Sequence, residues 1–139
     1  MYLNFIESVL ECKKRNVALP AGYEELAMEK WADLRDRAGL TPITSVYPNA
    51  SVDELIELCR KERRVELAFE GHRFWDLRRW KDLDESKNIY GVKIVKNGDE
   101  ITYTKSLMEE RKIEDKLYFY PIANTELFKN GNLKQNPGW

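Results

Sequence analysis

A chain of 139 residues, 42% hydrophobic and 34% charged, has the make-up of one globular domain, long enough to bury a core without disulfide or metal staples. Its 23 Lys+Arg against 24 Asp+Glu leave a net charge of −1, so there is no basic field for nucleic acid or an anionic membrane. No apolar run approaches the ~20 residues of a membrane span, and the opening MYLNFIESVLECKKR lacks the order of charge, apolar core and cleavage site that marks a signal peptide; as written, the chain reads as soluble.

Residues 2–15 read as an amphipathic helix, with Tyr2, Leu3, Phe5, Ile6, Val9, Leu10 and Cys12 on one half and Asn4, Glu7, Ser8, Glu11, Lys14 and Arg15 on the other. NVALPAG is a loop broken by Pro20 and Gly22. A second helix spans 23–38 with Tyr23, Ala27, Trp31, Leu34 and Ala38 in line, and Gly39 is its stop. Two helices on a short loop make an αα-hairpin, without a second copy at a fixed period. After the Pro-containing connection 40–50, a third long helix opens with a capping box, Ser51 and Glu54, and runs to Glu70 before Gly71. HRFWDLRRW forms a short helix or turn to Trp80. Cys12 and Cys59 sit within helical patterns and read as buried thiols rather than a disulfide.

Residues 91–104 change to a strand period, with Asn97-Gly98 as the central pair of a type I′ hairpin. That turn places Lys96 opposite Asp99, Ile94 opposite Ile101 and Val92 opposite Tyr103, giving one apolar face. KSLMEERKIEDK reads as an exposed loop or helix, LYFYPI as a short buried strand or extended piece, and Thr125–Lys129 as a helical turn before the tail GNLKQNPGW. The class is mostly α with one hairpin.

The third long helix carries charges where apolar residues are expected. Val52, Leu55, Ile56, Leu58, Cys59, Val65, Leu67 and Phe69 define an apolar arc, and Glu62, Arg63, Glu66 and Glu70 fall in its middle on ideal helical geometry. Charges buried without partners cost several kcal/mol, so partners are required. Arg63 and, after Gly71, Arg73, Arg78 and Arg79 are the candidates, beside Phe74, Trp75, Asp76 and Trp80. The expectation is a half-buried carboxylate–guanidinium network roofed by aromatics: Glu62, Arg63, Glu66, Glu70, Arg73, Trp75, Asp76, Arg79 and Trp80.

Carboxylates at i and i+4 lie roughly 6 Å apart, near the spacing of retaining glycosidases. Crowding by arginines favours the ionised form, the opposite of what a general acid needs. The sequence holds one histidine, His72, and no Glu-x-x-His, so a di-metal carboxylate site is not supported and His72 reads as structural. Glu62, Glu66, Glu70 and Asp76 interrupt the basic RKERR run, which argues against nucleic acid. No phosphate loop, CxxC or nucleophile elbow is present. The residues describe a non-enzymatic helical domain without metal or cofactor.

The run RKERRVELAFEGHRFWDLRRW (60–80) resembles the signature of the SusD/RagB family of outer-membrane nutrient-binding lipoproteins. WADLRDRAGLTPI (31–43) resembles the helix end that precedes it, and YFYPIANTELFKNGNLKQNPGW (118–139) resembles the family's C-terminal ending, with Pro121-Ile122-Ala123 where the family has Pro-Ile-Pro. The resemblance implies tetratricopeptide-like helix pairs in a partial SusD-like fold, a lipid anchor on the outer membrane, and partnership with a SusC-like TonB-dependent transporter in oligosaccharide uptake. It implies no enzymatic activity and no cofactor. Family members are several times longer, so the chain is expected to be a C-terminal segment; Cys12 has no lipobox before it. In the family, sugar contacts come mainly from loop aromatics of the longer region, so no ligand residue is carried onto 60–80. Trp31, Trp75, Trp80 and Trp139 are expected in the core, and the hairpin tip Asn97–Gly98 is a candidate partner contact. The rival readings are a free-standing helical interaction module and a carbohydrate-active enzyme using Glu62, Glu66 and Glu70.

Overall fold

In the computed structural model, which describes residues 1–139, the apolar repeat of the first segment forms α1 (Tyr2–Lys14) and buries Leu3, Ile6, Val9 and Leu10. α1 stops where Asn16 N–H donates to Lys13 O (3.1 Å) and Val17 N–H to Cys12 O (2.9 Å), the paired bonds of a Schellman end. α2 (Tyr23–Arg37) stops in the same way at Gly39, as its position predicts: Gly39 N–H reaches Asp36 O and Leu40 N–H reaches Arg35 O, both at 2.9 Å. A single-turn helix, α3 (Ile43–Val46), precedes α4 (Val52–Glu66).

α1 packs on both α2 and α4. The core around it holds Ala27 and fully buried Trp31 from α2, Ile43 from α3, and Ile56 and Cys59 from α4. Because α1 is covered from two directions, its buried face is wider than its apolar half, and Glu7, assigned to the wet side, is buried. α4 differs from expectation at its far end. It closes at Glu66 rather than Glu70, Phe69 takes a left-handed φ of 67°, and Val65 and Phe69, placed in the apolar arc, stand exposed. The buried line on α4 is instead Ile56, Cys59 and Arg63, spaced three and four residues apart.

The chain condenses into two compact units, Met1–Glu70 and Gly71–Trp139. The second unit holds α5 (His72–Trp80), a 3-10 turn at Leu83–Ser86, strands β1 (Asn88–Asn97) and β2 (Glu100–Glu110), a 3-10 turn at Asp115–Tyr118, and α6 (Asn124–Lys129). Its buried apolar residues are Leu77 and Leu83.

The hairpin forms as expected, but with a different turn. Asn97 pairs with Glu100, so the loop is Gly98-Asp99, and positive φ falls at Gly98 (62°) alone of the two. That is the type II′ pattern, which places glycine first, rather than I′ centred on Asn97-Gly98. The register therefore moves by two: Ile94 faces Tyr103, Lys96 faces Ile101 and Val92 faces Lys105. An even shift keeps the same side chains on the same face and changes only their partners. It also draws 105–110 into β2, where a loop or helix is expected. At the hairpin base Ile89 pairs Glu109 while Tyr90 pairs Leu107, so Met108 is the extra residue of a bulge.

LYFYPI is not a buried strand. Phe119 and Tyr120 are exposed, and the segment is held by side chains of the tail instead of a sheet partner. Gln135 accepts from Ile122 N–H (2.8 Å) and donates to Ile122 O (2.9 Å), and Asn136 Nδ2 donates to Tyr120 O (2.5 Å). Trp139 Nε1 donates to Lys116 O (3.0 Å) and Phe119 O (3.1 Å). Gly138 makes the approach possible: φ is 86°, and a Cβ there would lie 2.8 Å from Lys116 Cβ.

Burial, with the Glu7 carboxylate adding to it, pushes the Cys59 thiol up to about 12, while Cys12 is half-buried and both thiols are free. At pH 8 dithionitrobenzoate is expected to label Cys12 and to reach Cys59 only after unfolding in guanidinium; equal labelling rates in the native protein would contradict the packing of α4 on α1.

The capping box forms as expected. Ser51 Oγ accepts from Glu54 N–H (3.3 Å) and Glu54 accepts from Ser51 N–H (2.7 Å), which holds the Glu54 carboxyl below its ordinary 4.5. Ser51→Ala is expected to cost about 1 kcal/mol in denaturant unfolding. Because Glu54 is shifted down in the folded state, its contribution is present above pH 4.5 and fades as pH falls through the depressed value. An acid-unfolding profile identical in Glu54→Gln would refute that role.

Candidate functional site

In the first unit the carboxylates of α4 meet arginines that come from α2. Arg35 Nη1 donates to Glu62 at 2.5 Å, and Arg35 Nε donates to Thr41 O at 2.7 Å. One guanidinium thus ties α4 to the chain leaving α2. The two side chains keep 14% and 15% of their exposure, so the pair is largely desolvated and behaves unlike a surface salt bridge. Arg37 pairs with Glu66 nearer the surface. Arg63, on the buried line of α4, donates to Asn4 Oδ1 of α1 at 2.5 Å. Arg60 bridges to Glu11 of α1 (3.4 Å) and to Glu57 (3.3 Å). Glu70 lies in the exposed turn beyond α4. Arg35, Arg37 and Arg60 are absent from the expected network, because pairs 27 to 49 residues apart leave no local periodicity.

In the second unit, α5 divides its residues between two clusters, each with arginine and aromatic members. Asp76 is buried and accepts from Arg79 Nε at 3.1 Å, and Arg73 pairs with Glu85. The Arg73 and Arg79 guanidinium groups lie 5.6 and 5.0 Å from the Trp80 ring. Trp80 is therefore the aromatic partner of this cluster, whereas Trp75 is 56% exposed and not in the core. Trp75 packs with Phe74 and Tyr120, ring centroids 5.2 to 6.0 Å apart, and Arg78 lies 3.5 Å over Phe74. Trp139, also expected in the core, is half exposed and anchored through its indole N–H. Trp31 alone of these four is fully enclosed. His72 is exposed at the start of α5.

One concave surface of the first unit lies where the chain passes from α3 into α4. An open groove of about 610 Å³ is bounded by Val46, Tyr47, Pro48, Asn49 and Ala50 on one side and by Leu58 and Lys61 of α4, with Asp53 and Glu57, on the other. Tyr47 is half exposed. An exposed aromatic ring next to an amide, a lysine and carboxylates suits a polyhydroxylated ligand: the ring covers the apolar face of a sugar, and the polar groups bond its hydroxyls. The sequence signal for it is small, a Val46-Tyr47 pair inside a proline-bounded connection.

A model of the SusD family matches residues 1–139. The chain belongs to the SusD family. A crystal structure of a SusD-like protein from Bacteroides fragilis superposes with a TM-score of 0.78 at 34% identity, covering 99% of this chain and 24% of the other. The chain thus spans about a quarter of that relative's length. Among curated proteins there is no match. The helical architecture with one small antiparallel hairpin is that of a SusD-like fold. SusD-family proteins are in general binding proteins rather than enzymes, and are typically associated with the outer membrane. No helix of this SusD-family chain is long and apolar enough to cross a membrane.

The two depths of the α4 network predict two costs. Arg63→Ala is expected to destabilise by roughly 3 kcal/mol, since it leaves a buried polar surface unmatched. Arg37→Ala, at the exposed pair with Glu66, is expected to cost less than about 1 kcal/mol. Equal shifts of the two urea midpoints would show that burial does not set the value of these pairs.

Proposed function

We propose that this chain is part of a nutrient-binding surface protein that captures oligosaccharides and delivers them to a SusC-like TonB-dependent transporter. The observation that carries the reading is the SusD-family match along the whole chain. In this reading the protein acts by binding alone, without catalysis, metal or cofactor, and is held at the outer membrane by a lipid anchor. The network of Glu62, Arg63, Glu66, Glu70, Arg73, Trp75, Asp76, Arg79 and Trp80 is scaffold. Its supporting geometry is the engagement of Glu62, Glu66 and Asp76 by arginines, which gives each of these carboxylates a structural partner.

Within this chain the groove at Tyr47 is where a sugar ring would sit. Titration with a panel of neutral oligosaccharides, read by calorimetry, is expected to give a binder whose affinity falls at least about tenfold in Tyr47→Ala with the fold unchanged by circular dichroism. A bound oligosaccharide whose affinity ignores Tyr47→Ala would move the site elsewhere. For the cellular half of the proposal, an antibody against NLKQNPGW is expected to find its antigen in the outer-membrane fraction of the source cells; antigen confined to the soluble fraction would overturn the surface role.

A further inference from the structure

A second hollow, of about 340 Å³, adjoins the groove and shares Val46, Tyr47, Leu58 and Lys61 with it. The half-exposed Tyr47 ring and the exposed Lys61 side chain therefore belong to the walls of both. The carboxylates of the two linings are already engaged. Asp53 is paired with Lys14 (2.7 Å). Glu57 is paired with Arg60 (3.3 Å) and not with Lys61, the lysine one turn after it. Glu54 accepts from Ser51 N–H (2.7 Å) and from Ser51 Oγ (2.8 Å), and it sits at the positive end of α4. In the hollow, Arg35 holds Glu62 and Arg37 holds Glu66. Of the charged side chains in the two linings, Lys61 alone has neither a hydrogen bond nor an ion pair. The one uncommitted charge that this surface offers a ligand is an ammonium.

We propose that the groove prefers acidic sugars, with a uronate ring on Tyr47 and its carboxylate on the Lys61 ammonium. This deepens the nutrient-binding reading and rests on it. A uronate carries its carboxylate at the ring edge, so the C–H face stays free to lie on an aromatic ring while the anion reaches sideways. The ammonium donates to a hydroxyl or to a carboxylate, but only the carboxylate makes the bond charge-assisted. Because Lys61 is exposed, water competes for it, and the gain over a neutral sugar is about threefold rather than a hundredfold. Tyr47 supplies affinity for any sugar ring, and Lys61 supplies the distinction between an acidic ring and a neutral one.

Matched pairs of ligands test the preference. The chain, folded by circular dichroism, is titrated calorimetrically with short oligomers of galacturonate, glucuronate and mannuronate, each beside its carboxyl-reduced neutral counterpart. In about 20 mM salt a uronate oligomer is expected to bind about threefold tighter than its neutral counterpart. That margin is expected to vanish in Lys61→Gln, to persist in Lys61→Arg and to close in about 0.5 M salt, whereas Tyr47→Ala weakens both members of the pair. A neutral oligomer bound as tightly as its uronate, and still weakened by Tyr47→Ala, overturns the preference and leaves the oligosaccharide site standing. Binding that ignores Tyr47→Ala in every pair overturns the site and the preference together. A uronate margin that survives Lys61→Gln overturns the role of Lys61, and absence of binding by every uronate overturns the preference as well.

Discussion

The first unit depends on the burial of α1 against both α2 and α4. Leu3, Ile6, Val9 and Leu10 fill the space between partners that do not need to touch each other extensively, and Trp31, Ile56 and Cys59 close on them from either side. A helix covered from two directions presents more buried surface than its apolar half supplies, so polar side chains are carried inward with it. Glu7 and Arg63 are the result. Buried Arg63 donates to Asn4 and Arg60 pairs with Glu11, and these polar contacts join α4 to α1 a second time. The desolvated Arg35–Glu62 pair adds α2 to the same arrangement and, through Thr41 O, orients the connection that leads to the groove at Tyr47.

The second unit works on a different principle. Two leucines are a small core, and order comes from polar side chains bonded to backbone. Gln135 bonds Ile122 as a neighbouring strand would, and Asn136 and Trp139 secure the residues before it. This gives the Q-N-P-G-W ending a physical meaning: each polar member has a backbone partner, and glycine is the residue that lets the tail come close. A unit built in this way leaves much apolar surface uncovered, as on the hairpin face and at Phe74, Trp75 and Tyr120.

The signature segment 60–80, the most distinctive in the sequence, is occupied by ion pairs, stacking on Trp80 and the turn between units. The groove uses residues of a connection that carries no marked motif. The groove meets the signature segment only at Lys61.

What the sequence determined by itself were the features set by neighbours a few residues apart: the apolar repeat of α1, the Ser51–Glu54 box, the Schellman stop at Gly39 and the existence of a hairpin near Gly98. Helix periodicity and capping are local, and the side chains that decide them lie within one or two turns. It also carried the family, because three motifs recur in order along the chain. The tertiary structure decided the rest. Turn type followed from how the two strands paired along their full length, which placed Gly98 first in the loop and shifted every cross-strand partner by two. Which charges were buried, and with whom, followed from contacts across 27 to 59 residues that no periodic pattern records. The exposure of Val65, Phe69 and Trp75 had the same cause: an apolar residue is buried only where another element is present to cover it, and that is a property of the packing, not of the residue.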